Sequence, residues 1–192
     1  APALCNRIDR NTGGIVIAAK NAEALRIMNE KIRNDELSKF YLAAVHGHMP
    51  KKADTLHGYL RKDQANNIVD ISTVKKPGYK EIITKYRVLD ENNSLSLVEV
   101  ELVTGRTHQI RVHFASIGHP LAGDDLYGGS RERIGRQALH CAEQRFRVPE
   151  YEMTPEGIRI TAPPLEQSRA VTVKSPLPPD LWALFGEDPL EI

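Results

Sequence analysis

Residues 104–113 read Thr-Gly-Arg-Thr-His-Gln-Ile-Arg-Val-His. Two arginines, two histidines, a glutamine and two threonines surround only two apolar side chains in that window. A helix built to fill a core would not use that mix, whereas a site that binds anions or moves protons would. A second stretch, Asn6-Arg7-Ile8-Asp9-Arg10-Asn11-Thr12-Gly13-Gly14, sets an aspartate between two arginines just before a glycine turn. Neighbouring cations favour the carboxylate form, which makes Asp9 a candidate nucleophile. The competing reading is a turn aspartate that caps its own backbone. No other acidic residue stands near Arg7 and Arg10 in the sequence, which weakens that reading.

Spacing predicts a helix over Thr107–Ile117, ended by Gly118. Its start would offer free backbone N–H groups to an anion. Residues 107, 111 and 114 would share one face and 106, 109, 110 and 113 another, so one arginine can meet a carboxylate while the other addresses phosphate. Structural ion pairing is the plainer alternative for both. A metal centre built from His108, His113, His119, Asp124 and Asp125 is disfavoured by spacing. Two ligands on one helical face want a gap of about four, and the first two histidines are five apart. Asp124 and Asp125 sit in a glycine-rich loop and read as turn formers or caps. No phosphate-cradling Gly-x-x-x-x-Gly-Lys or dinucleotide Gly-x-Gly-x-x-Gly motif is present, and no serine occupies a nucleophile elbow. Neither a metal nor a cofactor is expected. Tyr41, in the apolar run after Lys39, is a core residue or a flat face for a base with a phenol for proton transfer.

The surrounding chain must hold these groups in place. At 192 residues, with 41% hydrophobic and 27% charged residues, it suits one folded soluble domain. No apolar stretch approaches the roughly 20 residues that cross a bilayer, and no signal-like leader is seen. Cys5 and Cys141 lack metal-site spacing and read as reduced thiols of a cytoplasmic protein. The net charge of +1 is not that of an indiscriminate nucleic-acid binder. Cations nevertheless cluster at Arg131, Arg133 and Arg136, at Arg145 and Arg147, and at Lys75, Lys76 and Lys80; such clusters bind phosphate or simply face solvent.

Strands are predicted at Gly14–Ala19, Lys39–Val45, Leu56–Leu60, Gln137–Arg147 and Ile158–Ala162. Glu81–Leu89 and Ser94–Val103 form a hairpin, and 49–56 and 62–78 are read as loops. A helix over Ala22–Arg33 is capped by Asn21, and a short one over Pro179–Phe185 opens on prolines. Strands with few helices between them give an α+β fold, a mixed and mostly antiparallel sheet with a few flanking helices.

Taken together these segments resemble the RluA family of RNA pseudouridine synthases. The first motif resembles that family's His-Arg-Leu-Asp-Arg/Lys-x-Thr-Ser-Gly. Residues 105–113, then Gly118-His119-Pro120-Leu121-Ala122-Gly123-Asp124 and Tyr127-Gly128, match the second nearly letter for letter. Lys39-Phe40-Tyr41, Arg136-Gln137-Ala138-Leu139-His140 and Ala162-Pro163 match further segments. Asn6 and Gly13 depart from the pattern, standing where His and Ser are usual.

The resemblance implies a pseudouridine synthase fold and an isomerase that turns specific uridines of ribosomal RNA, in preference to transfer RNA, into pseudouridine. It implies no cofactor or metal, no membrane and no obligate protein partner. By the same resemblance Asp9 is the nucleophile, Arg111 its salt-bridge partner and Tyr41 the residue that stacks on uracil and takes a proton from it. Arg7 helps extrude the base, Arg106 and His108 contact substrate, and Leu139 walls the pocket. Residues 1–192 read as one catalytic domain that lacks the strands the family carries upstream. The alternatives are an inactive RNA-binding fragment of such an enzyme and a metal-dependent phosphodiesterase.

Overall fold

A computed structural model describes residues 2–148, 151–160 and 169–186. The chain opens with three two-residue strands, β1 (Ala3–Leu4), β2 (Gly13–Gly14) and β3 (Ala18–Ala19), of which β1 and β3 pair with each other. Helix α1 (Ala22–Arg33) follows, and the Asn21 side chain accepts from the Ala24 N–H as an N-cap. Next come β4 (Ser38–His46), β5 (Ala53–Asp63), β6 (Ile68–Ser72), β7 (Lys80–Glu91) and β8 (Leu95–Leu102). Helix α2 (Gln109–Ser116), β9 (Leu139–Val148), β10 (Tyr151–Thr154), β11 (Gly157–Ile160), β12 (Arg169–Lys174) and α3 (Pro179–Trp182) complete the order.

The main sheet runs β12–β9–β4–β8–β7–β5–β6, antiparallel throughout, with β2 laid parallel along the start of β9. Both faces of β4 are covered, so its apolar residues do not alternate with polar ones. Tyr41, Ala43 and Val45 face Ile110 and Phe114 of α2. Leu42 and Ala44 face Leu177 and Leu181 in the C-terminal segment that carries α3. The α+β expectation therefore holds. The β7–β8 hairpin forms as predicted, closed by Asn92, whose Oδ1 accepts from Ser94 N and Leu95 N. Among the described residues no helix is long and apolar enough to cross a membrane.

Five local expectations need correction. Residues 49–56 are not all loop, because β5 begins at Ala53 and pairs there with β7. Residues 62–78 are not all loop, because β6 turns Val69 and Ile71 onto Leu60, Ile82 and Val112 and extends the sheet beyond β5. Gly14–Ala19 is not one strand but the separate β2 and β3. Strands β1, β10 and β12 add to the predicted set. Finally, α2 starts at Gln109 and not at Thr107, because His108 adopts a left-handed backbone with φ 54°. Ala162 and Pro163 lie outside the described residues.

Candidate active site

Strand β9 joins the amino-terminal motif to Tyr41. Its residue Cys141 has Gly14 of β2 on one side and Tyr41 of β4 on the other. Only glycine permits that approach. At Gly14, φ is +108°, and a Cβ there would lie 2.2 Å from the Cys141 carbonyl oxygen. The register of β4 on β9 slips between Phe40 and Tyr41, a bulge that sets Tyr41 in the wall of a cleft. The loop bearing Asp9 is then tied to the start of β9. Gln137 Nε2 donates to Arg10 O at 2.6 Å and to Thr12 Oγ1 at 3.2 Å. Arg136 Nη1 donates to Asn11 O at 3.3 Å, and the Thr12 N–H closes a turn onto Asp9 O at 3.0 Å. Asn6, where the related motif has His, accepts from the Ile17 N–H at 2.7 Å and closes the loop from its other end.

Helix α2 delivers Arg111. Its guanidinium donates from Nε to Asp124 Oδ2 at 2.7 Å and from Nη2 to Asp124 Oδ1 at 2.8 Å. The remaining Nη1 approaches Asp9 Oδ2 at 3.8 Å. The plane also lies over the Tyr127 ring, 5.1 Å from its centroid. Burial works against the Arg111 charge, but the Asp124 pair and the Asp9 charge outweigh it, so its pKa is raised and it stays cationic. The expected Asp9–Arg111 contact is therefore present but long. The two-bonded partner of Arg111 is Asp124, whose side chain is 1% exposed and makes no capping bond. Its backbone carbonyl does accept from Tyr127 N and Gly129 N in the expected turn, while its side chain serves Arg111.

Residues 109–114 are all buried, so α2 shows no solvent face to its arginine. A polar network fixes it from below. Gln109 Oε1 accepts from the Arg106 N–H and from Thr104 Oγ1. Gln109 Nε2 donates to Ile83 O and Thr84 Oγ1, and Thr84 Oγ1 meets His113 Nδ1 at 2.8 Å. Burial drives the His113 imidazole down to about 4, so it is neutral at pH 7.

Asp9, Arg111, Tyr41, Arg7, Arg106, His108 and Leu139 all line one cleft of about 640 Å³. A family model described as RNA pseudouridylate synthase matches residues 1–116. The chain belongs to that family.

Its relatives agree. The uncharacterized RNA pseudouridine synthase YjbO of Bacillus subtilis is 39% identical over 169 residues, covering 88% of this chain and 58% of that protein. The ribosomal large subunit pseudouridine synthase C of Vibrio vulnificus is 37% identical over 175 residues, covering 88% and 53%. The chain thus spans about half the length of the curated relatives it matches. Human RNA pseudouridylate synthase domain containing 1 superposes with a TM-score of 0.72 at 26% identity, over 95% of this chain and 73% of that one.

The cleft holds groups that sequence reasoning passed over. Lys39 and Lys62 line it along with Arg7, Arg10 and Arg106, and none of these five takes part in an ion pair among the described residues. Lys39 Nζ lies against Gly105, where a Cβ would come within 2.8 Å of it. Tyr127 stood in the matched motif without a role, yet it touches Arg111, His108 and β6. The residues weighed for a metal are otherwise engaged. Both Asp124 oxygens hold Arg111, Asp125 pairs with Arg131 at 3.0 Å, and His119 Nδ1 meets His46 O at 2.8 Å.

Proposed function

We propose that this chain isomerises uridine in RNA to pseudouridine, with ribosomal RNA as substrate in preference to transfer RNA, in the cytoplasm and without cofactor or metal. The observation that carries the reading is the convergence of Asp9, Arg111 and Tyr41 on one cleft lined by Arg7, Arg10, Lys39, Lys62 and Arg106, which form no ion pair among the described residues. A stacked base must leave its helix before its glycosidic bond can be reached, and free cations suit the phosphates around the vacated place. Arg7, exposed at the mouth, and Arg106 serve that purpose. Leu139 gives the pocket an apolar wall, and His108 stands within reach of the substrate.

The reaction breaks the bond from sugar C1′ to uracil N1 and forms one from C1′ to C5, while the hydrogen of C5 is lost and N1 gains one. Nothing is oxidised, and no water is consumed overall. Asp9 attacks the sugar or the pyrimidine ring, or takes a sugar proton. Its loose contact with Arg111 leaves carboxylate lone pairs uncommitted for that step. Tyr41 supplies the stacking face. Burial first, then Cys141 and the Asp9 charge, raise its phenol well above the ordinary range, so it rests protonated. A phenol that rests protonated cannot accept the C5 proton, so Tyr41 acts here as the stacking face.

The test is chemical mapping of pseudouridine after incubation with ribosomal RNA. Wild-type protein should convert uridine, and Asp9→Asn should bind RNA with turnover at least a thousand-fold lower, on the order seen when a nucleophile is removed. Substantial turnover by the variant removes Asp9 from the mechanism. No product from the wild-type chain overturns the whole reading.

A further inference from the structure

The cleft contains one buried neutral donor that the mechanism above leaves unused. His108 is 7% exposed, lines the cleft, and holds φ 54° and ψ 16°, a left-handed conformation costly for a residue with a side chain. Its Nδ1 lies 2.7 Å from Tyr127 Oη, and the same oxygen accepts the Val69 N–H at 3.2 Å. Among the described residues the phenol hydrogen then has one acceptor within hydrogen-bond distance, His108 Nδ1. Counting donors and acceptors in this way assigns His108 the tautomer with its proton on Nε2. That second nitrogen has no partner among the described residues and remains for whatever enters the cleft.

The two buried glutamines of the cleft wall have their amide hydrogens committed. Gln109 gives its amide hydrogens to Ile83 O and Thr84 Oγ1, and Gln137 gives its own to Arg10 O and Thr12 Oγ1. Charge also matters. Burial and the adjacent Arg111 lower the His108 pKa against the pull of Asp9 and Asp124, so the ring is neutral at pH 7. A phosphate is best met by a cation, and the rim supplies several. A neutral, fixed N–H beside Asp9 and Arg111 suits a neutral acceptor, and the neutral acceptors of the target base are its ring carbonyls.

We propose that His108, locked by Tyr127, donates from Nε2 to a carbonyl oxygen of the target uracil and holds the ring in register while its glycosidic bond is exchanged. This rests on the isomerase reading above. It makes His108 a substrate-contacting residue of defined tautomer and places Tyr127 behind it as a positioning residue.

The experiment uses RNA bearing uridine, 2-thiouridine or 4-thiouridine at the modified position, assayed with wild-type protein, His108→Gly and Tyr127→Phe. Glycine accepts the left-handed backbone, so His108→Gly should fold, and circular dichroism and melting would establish that it does. The variant should lose roughly ten- to a hundred-fold in kcat/KM on uridine, the range for one donor to a reacting group. Sulfur is a poorer acceptor than oxygen. At one of the two ring positions it should slow the wild type several-fold and His108→Gly hardly at all, and Tyr127→Phe should fall between. Full activity of His108→Gly overturns the proposal, as does a thio-effect of equal size in wild type and variant at both positions. If the wild-type chain makes no pseudouridine from uridine RNA, the isomerase reading has failed instead.

Discussion

Arg111 grips Asp124 with two parallel hydrogen bonds of 2.7 and 2.8 Å and reaches Asp9 only at 3.8 Å. The buried aspartate orients the guanidinium, and its remaining Nη1 faces the Asp9 carboxylate. A tight fork on Asp9 itself would occupy the oxygens that act in the proposed reaction. Dividing the two tasks between two aspartates avoids that.

Asp124→Asn tests the division. An amide offers one acceptor and two hydrogens to a fork of donors, so a buried positive charge loses its counter-charge. Breaking such a pair costs about 3 kcal/mol, and the untethered guanidinium should lower turnover at least ten-fold. Urea unfolding and pseudouridine yield read the two effects separately, and RNA affinity should hold. If stability and turnover both match wild type, Asp124 is not the anchor.

Gly14 is the tightest point between the Asp9 loop and the sheet. In Gly14→Ala the new methyl would sit 2.2 Å from Cys141 O and 2.6 Å from Cys141 N, both backbone atoms that cannot swing aside. The loop must lift from β9 and carry Asp9 with it. A left-handed glycine replaced under such crowding costs at least about 2 kcal/mol. Activity should fall further than stability alone explains. A crystal structure of the variant with Asp9 in its original place would refute the coupling.

Parts of this were readable from the residues and parts were not, for physical reasons. Strand β4, the β7–β8 hairpin and α1 are announced by local signals: an apolar run, alternation closed by an Asn turn, and spacings behind an N-cap. Strand β6 has only Val69 and Ile71 on its inner face, between polar flanks, so its identity comes from β5 beside it. Strand β12 is largely exposed and exists by pairing with β9. The start of α2 was misplaced because the left-handed His108 breaks the helix there, and no propensity marks that. Asp9, Tyr41 and Arg111 were recognised from residue type and motif, while their meeting depends on β9, far along the chain. Asp124 was missed because burial is a tertiary property, and an aspartate among glycines reads as a turn.

His113 makes stability depend on pH. The unfolded chain takes up this proton near 6.5, whereas the folded chain refuses it until about 4. Its contribution is fully present above pH 6.5, declines as pH falls through that window, and changes no further below pH 4. The loss across the window approaches about 3 kcal/mol. Urea unfolding from pH 7 to 4 should show wild type losing more stability than His113→Gln, a comparison that subtracts other titrating groups. Parallel curves for the two proteins would mean that His113 titrates normally in the fold.

If the proposed RNA substrate binds along the cleft, the cations there that form no ion pair among the described residues should make that binding sensitive to salt. Each phosphate met by Lys39, Arg106 or a neighbouring cation releases a condensed counterion, and for single strands the slope of log affinity against log salt is about −0.7 per contact. Lys39→Gln should therefore flatten the slope by about 0.7 and weaken binding at low salt, with much less effect at high salt. Lys75→Gln, at a residue that does not line the cleft, is the comparison for a cation outside the site. Its slope should match wild type if the phosphates follow the cleft. If instead Lys39→Gln leaves the slope unchanged while Lys75→Gln reduces it, the RNA backbone runs over the β6–β7 connection, and the rim cations of the cleft do not carry the binding.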